Sequence, residues 1–169
     1  MKKILLLSIA FLSFSCQQPK TAFVDISKLV DDYEEMKDVK SAFETKTASF
    51  TKRRDSVVQA YQLEEQDFRI KAQKMTRKQQ EENYQLLAQK GQILGQQFQN
   101  EQQQIQLEGQ QQIDSLVKKV KDFIKDYGKN NGYTYIYGSN QTGSVLYGKE
   151  ENDITTTLLT ELNKAYNKE

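Results

Sequence analysis

The chain has 169 residues, 28% of them charged, a formal net charge of +1 and 37% hydrophobic residues. It contains no His, no Trp, one Pro and one Cys. This excludes a structural zinc site, a Cys–His pair and a Ser–His–Asp triad, because His is the usual general base near neutral pH and the commonest metal ligand.

Residues 1–15 place Lys2 and Lys3 ahead of an apolar run from Ile4 to Phe14, followed by the small residue Ser15. These are the parts of a secretory signal, and the run is too short to span a bilayer as a helix. The single Cys, Cys16, stands directly after the small residue, where lipid attachment needs it. The stretch resembles the lipobox of bacterial lipoproteins. That implies cleavage before Cys16, a lipid on Cys16 and a lipid-attached linker over 16–20; an ordinary cleaved signal with an incidental Cys is the alternative. Cleavage takes Lys2 and Lys3 from the 24 basic residues and none from the 23 acidic ones, so the balance turns from +1 to −1. Such a balance offers nucleic acid no long-range attraction, and no nucleic-acid partner is expected.

TAFVDI (21–26) is a short β-prone run, and SKLVDDY (27–33) leads into helix. From Met36 the apolar residues recur at steps of three, four and seven: Met36, Val39, Phe43, Phe50, Val57, Tyr61, Phe68, Ala72 and Met75. That is one face of a helix. A second series runs Leu87, Leu94, Phe98, Ile105, then Ile113, Leu116, Val120, Phe123 or Ile124, and Tyr127. Between them TRKQQEENYQ (76–85) holds a single apolar residue, Tyr84. Two amphipathic arms over 34–128, with a tip near 76–83, are expected to fold into an antiparallel helical hairpin. About 45 residues per arm would reach roughly 65 Å; one unbroken helix of about 90 residues is the alternative.

Thr47, Arg54, Glu64, Glu101 and Gln112 fall at seam positions that a tight coiled coil fills with Leu, Ile or Val. The arms are therefore expected to be firmly anchored at their base and loosely held at their tips. Gly91, Gly95 and Gly109 each cost on the order of 1 kcal/mol in a helix interior; they are tolerated surface glycines or sites where the arm bends. The tip is basic, with Arg69, Lys71, Lys74, Arg77 and Lys78 answered by Glu81 and Glu82. It is either a solvated face or a lipid contact. The stretch 79–112 holds 15 Gln and reads as helix surface.

After Asn131-Gly132 the period becomes two. Tyr133, Tyr135 and Tyr137 alternate with Thr134 and Ile136, Gly138–Gly143 has turn composition, and Ser144–Tyr147 is the expected partner strand of a β-hairpin. Because an isolated hairpin is barely stable in water, TAFVDI is its expected further partner. Phe23, Val24, Ile26, Tyr133, Tyr135, Tyr137, Val145 and Tyr147 are then the candidate body and subunit contacts. Asp153 to Thr155 offers N-caps to a last helix with Leu158, Leu159, Leu162, Ala165 and Tyr166 on one face. The fold class is α+β: a long helical hairpin on a small β body over 21–33 and 129–169, closed by a terminal helix.

Phe23-Val24-Asp25 with Lys28-Leu29 and Tyr33, and Leu146-Tyr147 followed by Asp153-Ile154-Thr155 and Leu162-Asn163, resemble the Skp (OmpH-like) family of periplasmic chaperones. The resemblance covers almost all of the chain after the signal. It implies a homotrimer in which strands of three chains build a small body and helical arms surround a cavity. Unfolded outer-membrane proteins would be held there without ATP, with no enzyme activity and no cofactor, and the absence of any phosphate-loop motif fits this. A lipid on Cys16 would place the protein in the periplasm at the outer membrane. Phe43, Phe50, Tyr61, Phe68 and Phe98 are the candidate client contacts, with packing between the arms as their alternative role. A coiled-coil lipoprotein acting as an envelope tether is the rival function.

Overall fold

The computed structural model describes residues 19–139 and 145–167. The expected signal, Cys16 and most of the turn before Val145 lie outside the described residues. In chain order the elements are β1 (Thr21–Asp25), α1 (Ile26–Asp32), α2 (Glu34–Ala72), α3 (Arg77–Asn130), β2 (Tyr135–Ser139), a single 3-10 turn at Glu150–Asn152, and α4 (Thr155–Tyr166).

The helices α2 and α3 form the expected antiparallel hairpin. α2 has 39 residues, close to 60 Å at 1.5 Å per residue. α3 has 54, because its last turns run on into the body. The turn between them is shorter and earlier than the polar segment suggested. Thr76 accepts a hydrogen bond from the Gln79 backbone, and the Gln79 side chain answers to the Thr76 backbone, so α3 starts at Arg77. This reciprocal cap satisfies two of the helix's orphan donors, and residues 77–83 are helix from the outset. At the other end Gly132 adopts φ +70°, a left-handed conformation that costs glycine nothing. Tyr133 N–H then bonds back to Gly128, and α3 stops.

β1 and β2 pair as expected, in parallel, with Thr21 opposite Tyr135, Ala22 opposite Ile136 and Phe23 opposite Tyr137. The expected hairpin partner strand does not form: among the described residues the sheet has two strands, and Val145–Lys149 lies outside both. The chain past Val145 runs instead to the other edge of β1, and the outer edge of β2 has no partner among the described residues. Phe23 C=O accepts from Ile154 N–H at 3.0 Å, and Phe23 bridges to Asp153. The chain before it crosses the Phe23 ring at Gly148, where a side chain would collide with the ring.

Side chains alternate across the sheet. Ala22, Val24 and Ile136 turn inward, joining Leu29, Tyr33, Met36, Leu116, Val120, Ile154, Leu158 and Leu162. Tyr135 and Tyr137 turn outward and stack on each other at 5.9 Å between centroids. The tyrosine face is thus not body core. Tyr133 precedes β2 and packs at the core's rim, stacked on Tyr127 at 6.2 Å.

The motif residues near both termini converge on one joint. Asp25 caps α1 through its side chain, accepting from Lys28 N–H. Its own N–H donates to Thr155 Oγ1 at 2.9 Å. That hydroxyl donates in turn to Asp153, which also takes the Thr155 N–H. Tyr33 is extended, so α1 breaks from α2 there. The freed first N–H of α2, on Glu34, is accepted by Asn163 of α4 at 3.1 Å.

Candidate functional site

The arms present two kinds of apolar side chain. The first kind faces the seam. Phe50 is 5% exposed and meets Phe98 edge to face at 6.3 Å. Phe43, Tyr61, Phe68 and Phe98 are half-buried. Phe43 lies over Gly109, where an added Cβ would stand 2.5 Å from its ring. Tyr61 lies over Gly91, where an added Cβ would stand 2.6 Å from its hydroxyl, which donates to Leu87 C=O at 2.9 Å. Burial, then Glu65, pushes the Tyr61 hydroxyl above the usual phenol range, so it stays a donor. All five candidate client contacts are therefore placed between the two arms.

Two of the three glycines have a packing reason that neither bending nor a free surface supplies. Gly91 and Gly109 receive a ring from α2, while Gly95 has open space around it. Ion pairs flank the same seam: Lys46–Glu108, Arg53–Glu101 and Lys90–Glu64 join α2 to α3. Exposed pairs of this kind contribute little each, but they fix the register.

The second kind faces water. Leu63, Ile70, Tyr84, Leu86, Ile93 and Leu107 are exposed. The seam periodicity hides them, because attention goes to residues every three or four positions on one face. Their signal was a second spacing of seven: Leu86, Ile93, a polar Asn100, then Leu107.

At the tip the five basic residues are exposed. Lys71 pairs with Asp67 and Lys78 with Glu82. Among the described residues Arg69, Lys74 and Arg77 have no ion pair. A shallow groove of 340 Å³ opens between the arms near the tip, lined by Phe68, Met75, Leu86 and Leu87 and by the paired charges Glu64 with Lys90 and Asp67 with Lys71.

At the base, Glu35 joins α2 to α3. Its carboxylate accepts from Tyr33 Oη at 2.6 Å and from Lys119 Nζ at 2.7 Å. Burial alone would raise this carboxyl, but the hydrogen bonds from Lys119 and Tyr33 and the charge of Lys119 outweigh it and hold it below its ordinary value. Tyr166 packs on Tyr33 and donates to Asp38 at 2.8 Å, tying α4 to the same joint. The body also leaves Tyr135, Tyr137, Leu146 (93% exposed) and Tyr147 (85%) open, and the β2 edge has no partner among the described residues.

A body closed on three helices and a two-stranded sheet, with a hairpin of arms projecting from it, has a family counterpart. The family model described as outer membrane protein (OmpH-like) matches residues 20–162. The chain belongs to the OmpH-like family. No curated protein sequence matches it. Among solved structures it is similar to an OmpH-like protein of Caulobacter crescentus assigned as an outer membrane chaperone, with a TM-score of 0.77 and 14% identity. That match covers 88% of this chain and 86% of the other, and at such identity it speaks for the fold. The motif residues that carry the OmpH-like resemblance are those at the body joint, not those on the arms. Phe23, Asp25, Tyr33, Thr155 and Asn163 each hold one element against another.

Proposed function

We propose that this OmpH-like protein is a periplasmic holdase chaperone that keeps unfolded outer-membrane proteins from aggregating without ATP. The observation that carries the reading is the contrast in closure. The body seals a core around Leu29, Val120 and Leu158, whereas the arms leave Leu63, Ile70, Leu86, Ile93 and Leu107 open along their length. A surface of that kind suits weak, adaptable contact with many unfolded chains better than tight contact with one folded partner.

The working form is a homotrimer. The β2 edge, unpartnered among the described residues, and the exposed Tyr135, Tyr137, Leu146 and Tyr147 support it, since unpaired strand edges and large exposed apolar side chains call for a cover. Cys16 carries a lipid. With β1 starting at Thr21, that anchor would hold the body near the outer membrane and let the arms point away.

The deciding experiment dilutes a urea-denatured outer-membrane β-barrel protein into the purified chain and follows light scattering. Suppression at near-stoichiometric trimer is the expected result. Continued aggregation, together with tight binding to one folded envelope protein, would replace the chaperone by a tether. Cys16→Ser should release the protein from membranes, and a Cys16→Ser chain that stays bound would remove the lipid from this reading.

A further inference from the structure

The outer surface of α3 between Asn83 and Leu107 differs from every other helical surface of the molecule. It holds ten Gln in 25 residues, and all ten are exposed. Among the described residues none of these ten makes a side-chain hydrogen bond to another protein group. Only two residues of the segment are charged, Lys90 and Glu101, and both are tied across the seam, to Glu64 and Arg53. Along this surface runs the stripe of Leu86, Ile93 and Leu107, interrupted by Asn100. The outward side of α2 is different, with Lys52 and Asp55 on one stretch and Asp67 and Arg69 on another.

We infer that this face of α3 is where the client is held, and that it recognises an extended, uncharged stretch of unfolded polypeptide through apolar contacts and glutamine amides together. The inference rests on the holdase reading above and names the surface and the chemistry it uses. An unfolded chain carries backbone N–H and C=O groups with no partner of their own, and each primary amide has both donors and an acceptor to offer them. Neighbouring amides lie three or four residues from the stripe, as Gln89 and Gln96 do from Ile93 and Gln103 does from Leu107. On a helix such residues share a face. A client segment lying there would set apolar side chains on Leu86, Ile93 and Leu107 while its backbone meets amides. At the tip end, the groove beside Leu86 offers a place for a larger side chain.

Two other occupants fit poorly. A helix of a second copy would need two apolar positions per heptad to form a seam, and this face supplies one, with a gap at Asn100. An anionic membrane would need free cations, and this segment has none. With no unpaired charge on the face, holding should be nearly independent of salt, because screening acts only on charges.

The test uses the full-length protein and a dye-labelled, urea-denatured outer-membrane β-barrel protein, with affinity read by fluorescence anisotropy. Wild-type affinity should change by less than about two-fold between about 50 and about 500 mM NaCl. Joint Leu86→Gln, Ile93→Gln and Leu107→Gln should weaken it roughly ten-fold, with helicity by circular dichroism and mass by light scattering unchanged. Gln89→Ala, Gln96→Ala and Gln103→Ala, which keep good helix formers, should weaken it about three-fold. Lys52→Gln with Asp55→Asn, on the outward side of α2, should leave it alone.

Wild-type binding that survives the triple leucine-stripe change would overturn this surface and leave the holdase intact. A fall in mass in that variant would make the stripe a contact between copies and overturn it too. Affinity that drops many-fold with salt would refute the uncharged recognition. A wild-type chain that holds no client would end both readings at once.

Discussion

The body and the arms are built from the same helix, yet α3 obeys different rules at its two ends. Near the body, Leu116 and Val120 are sealed under α4 and the sheet, with Leu29, Val120 and Leu158 wholly buried. Along the arms the same helix meets α2 through rings, glycines and ion pairs, and of its large apolar side chains only Ile105 is buried there. The body is close-packed and must lose stability whenever it loses volume. The arms are a partly filled seam that can shift to accommodate change. Stability is thus concentrated where the chains would associate, and tolerance is concentrated where a client would be held.

The largest expected effect tests that division directly. Leu158→Ala removes a side chain with no exposure from the centre of the body and should cost about 3 to 5 kcal/mol. Ile105→Ala, in the arm seam, removes a similar volume but should cost only about 2 kcal/mol, because the arms can draw together. Urea denaturation followed by circular dichroism measures both. Equal costs would mean that the arms are as rigidly packed as the body.

A second comparison is polar. Thr155→Val keeps the shape of a buried side chain but strips the acceptor from Asp25 N–H and the donor from Asp153. Leaving a buried donor unsatisfied costs about 1 to 3 kcal/mol. No exposed hydroxyl on the arms should matter as much: Ser56, which only donates back to Lys52 C=O, should change stability by less than about 0.5 kcal/mol on conversion to Ala.

The glycines sharpen the picture of the arms, with a sign change in place of a size. Gly95→Ala meets nothing and should stabilise by about 0.5 to 1 kcal/mol, the ordinary helix gain. Gly109→Ala drives a methyl into the Phe43 ring, so the gain should vanish or reverse. Thermal melts of the two variants decide it; identical upward shifts would show that the Phe43 ring moves aside freely.

Much of this architecture was legible in the sequence because burial leaves a period. The steps of three, four and seven from Met36 to Met75 announced a seam, and TAFVDI with YTYIY announced strands that needed each other. What a period cannot say is which partner or which face. The alternation of Tyr133, Tyr135 and Tyr137 suggested a tyrosine core, but Ile136 is the inward residue of β2, and Tyr135 and Tyr137 face out. Nor does anything local record where the chain after the turn goes: it runs to the far edge of β1, where Ile154 bonds to Phe23, and not back along β2. At the tip, T-R-K-Q was a readable helix start that the surrounding polar residues masked. The aromatic seam residues drew the client assignment because large rings dominate any apolar count. The exposed stripe at Leu86, Ile93 and Leu107 was visible at a spacing of seven, but it became meaningful only once the seam had claimed the rings.

The smallest expected effect lies at the border between the two regions. Glu35 accepts from Tyr33 and Lys119, so it links the buried start of α2 to α3 just where the arms leave the body. Its carboxyl is held below the ordinary value of 4.5, with burial opposing and Lys119 and Tyr33 prevailing. A carboxyl that is more acidic in the folded state stabilises that state fully at pH above the unfolded value. The contribution fades as pH falls through the lower folded value, where both states bind the proton. Wild-type stability should therefore drop more steeply than that of Glu35→Gln as pH is lowered from about 5. Above that range the two should differ by a constant amount. Other carboxylates titrate in the same window, Asp122 beside Lys118 among them, so the difference between the two proteins is the informative quantity. If that difference stays flat down to about pH 3, the Lys119–Glu35–Tyr33 joint contributes nothing to the junction. The arms would then be attached to the body by apolar packing alone.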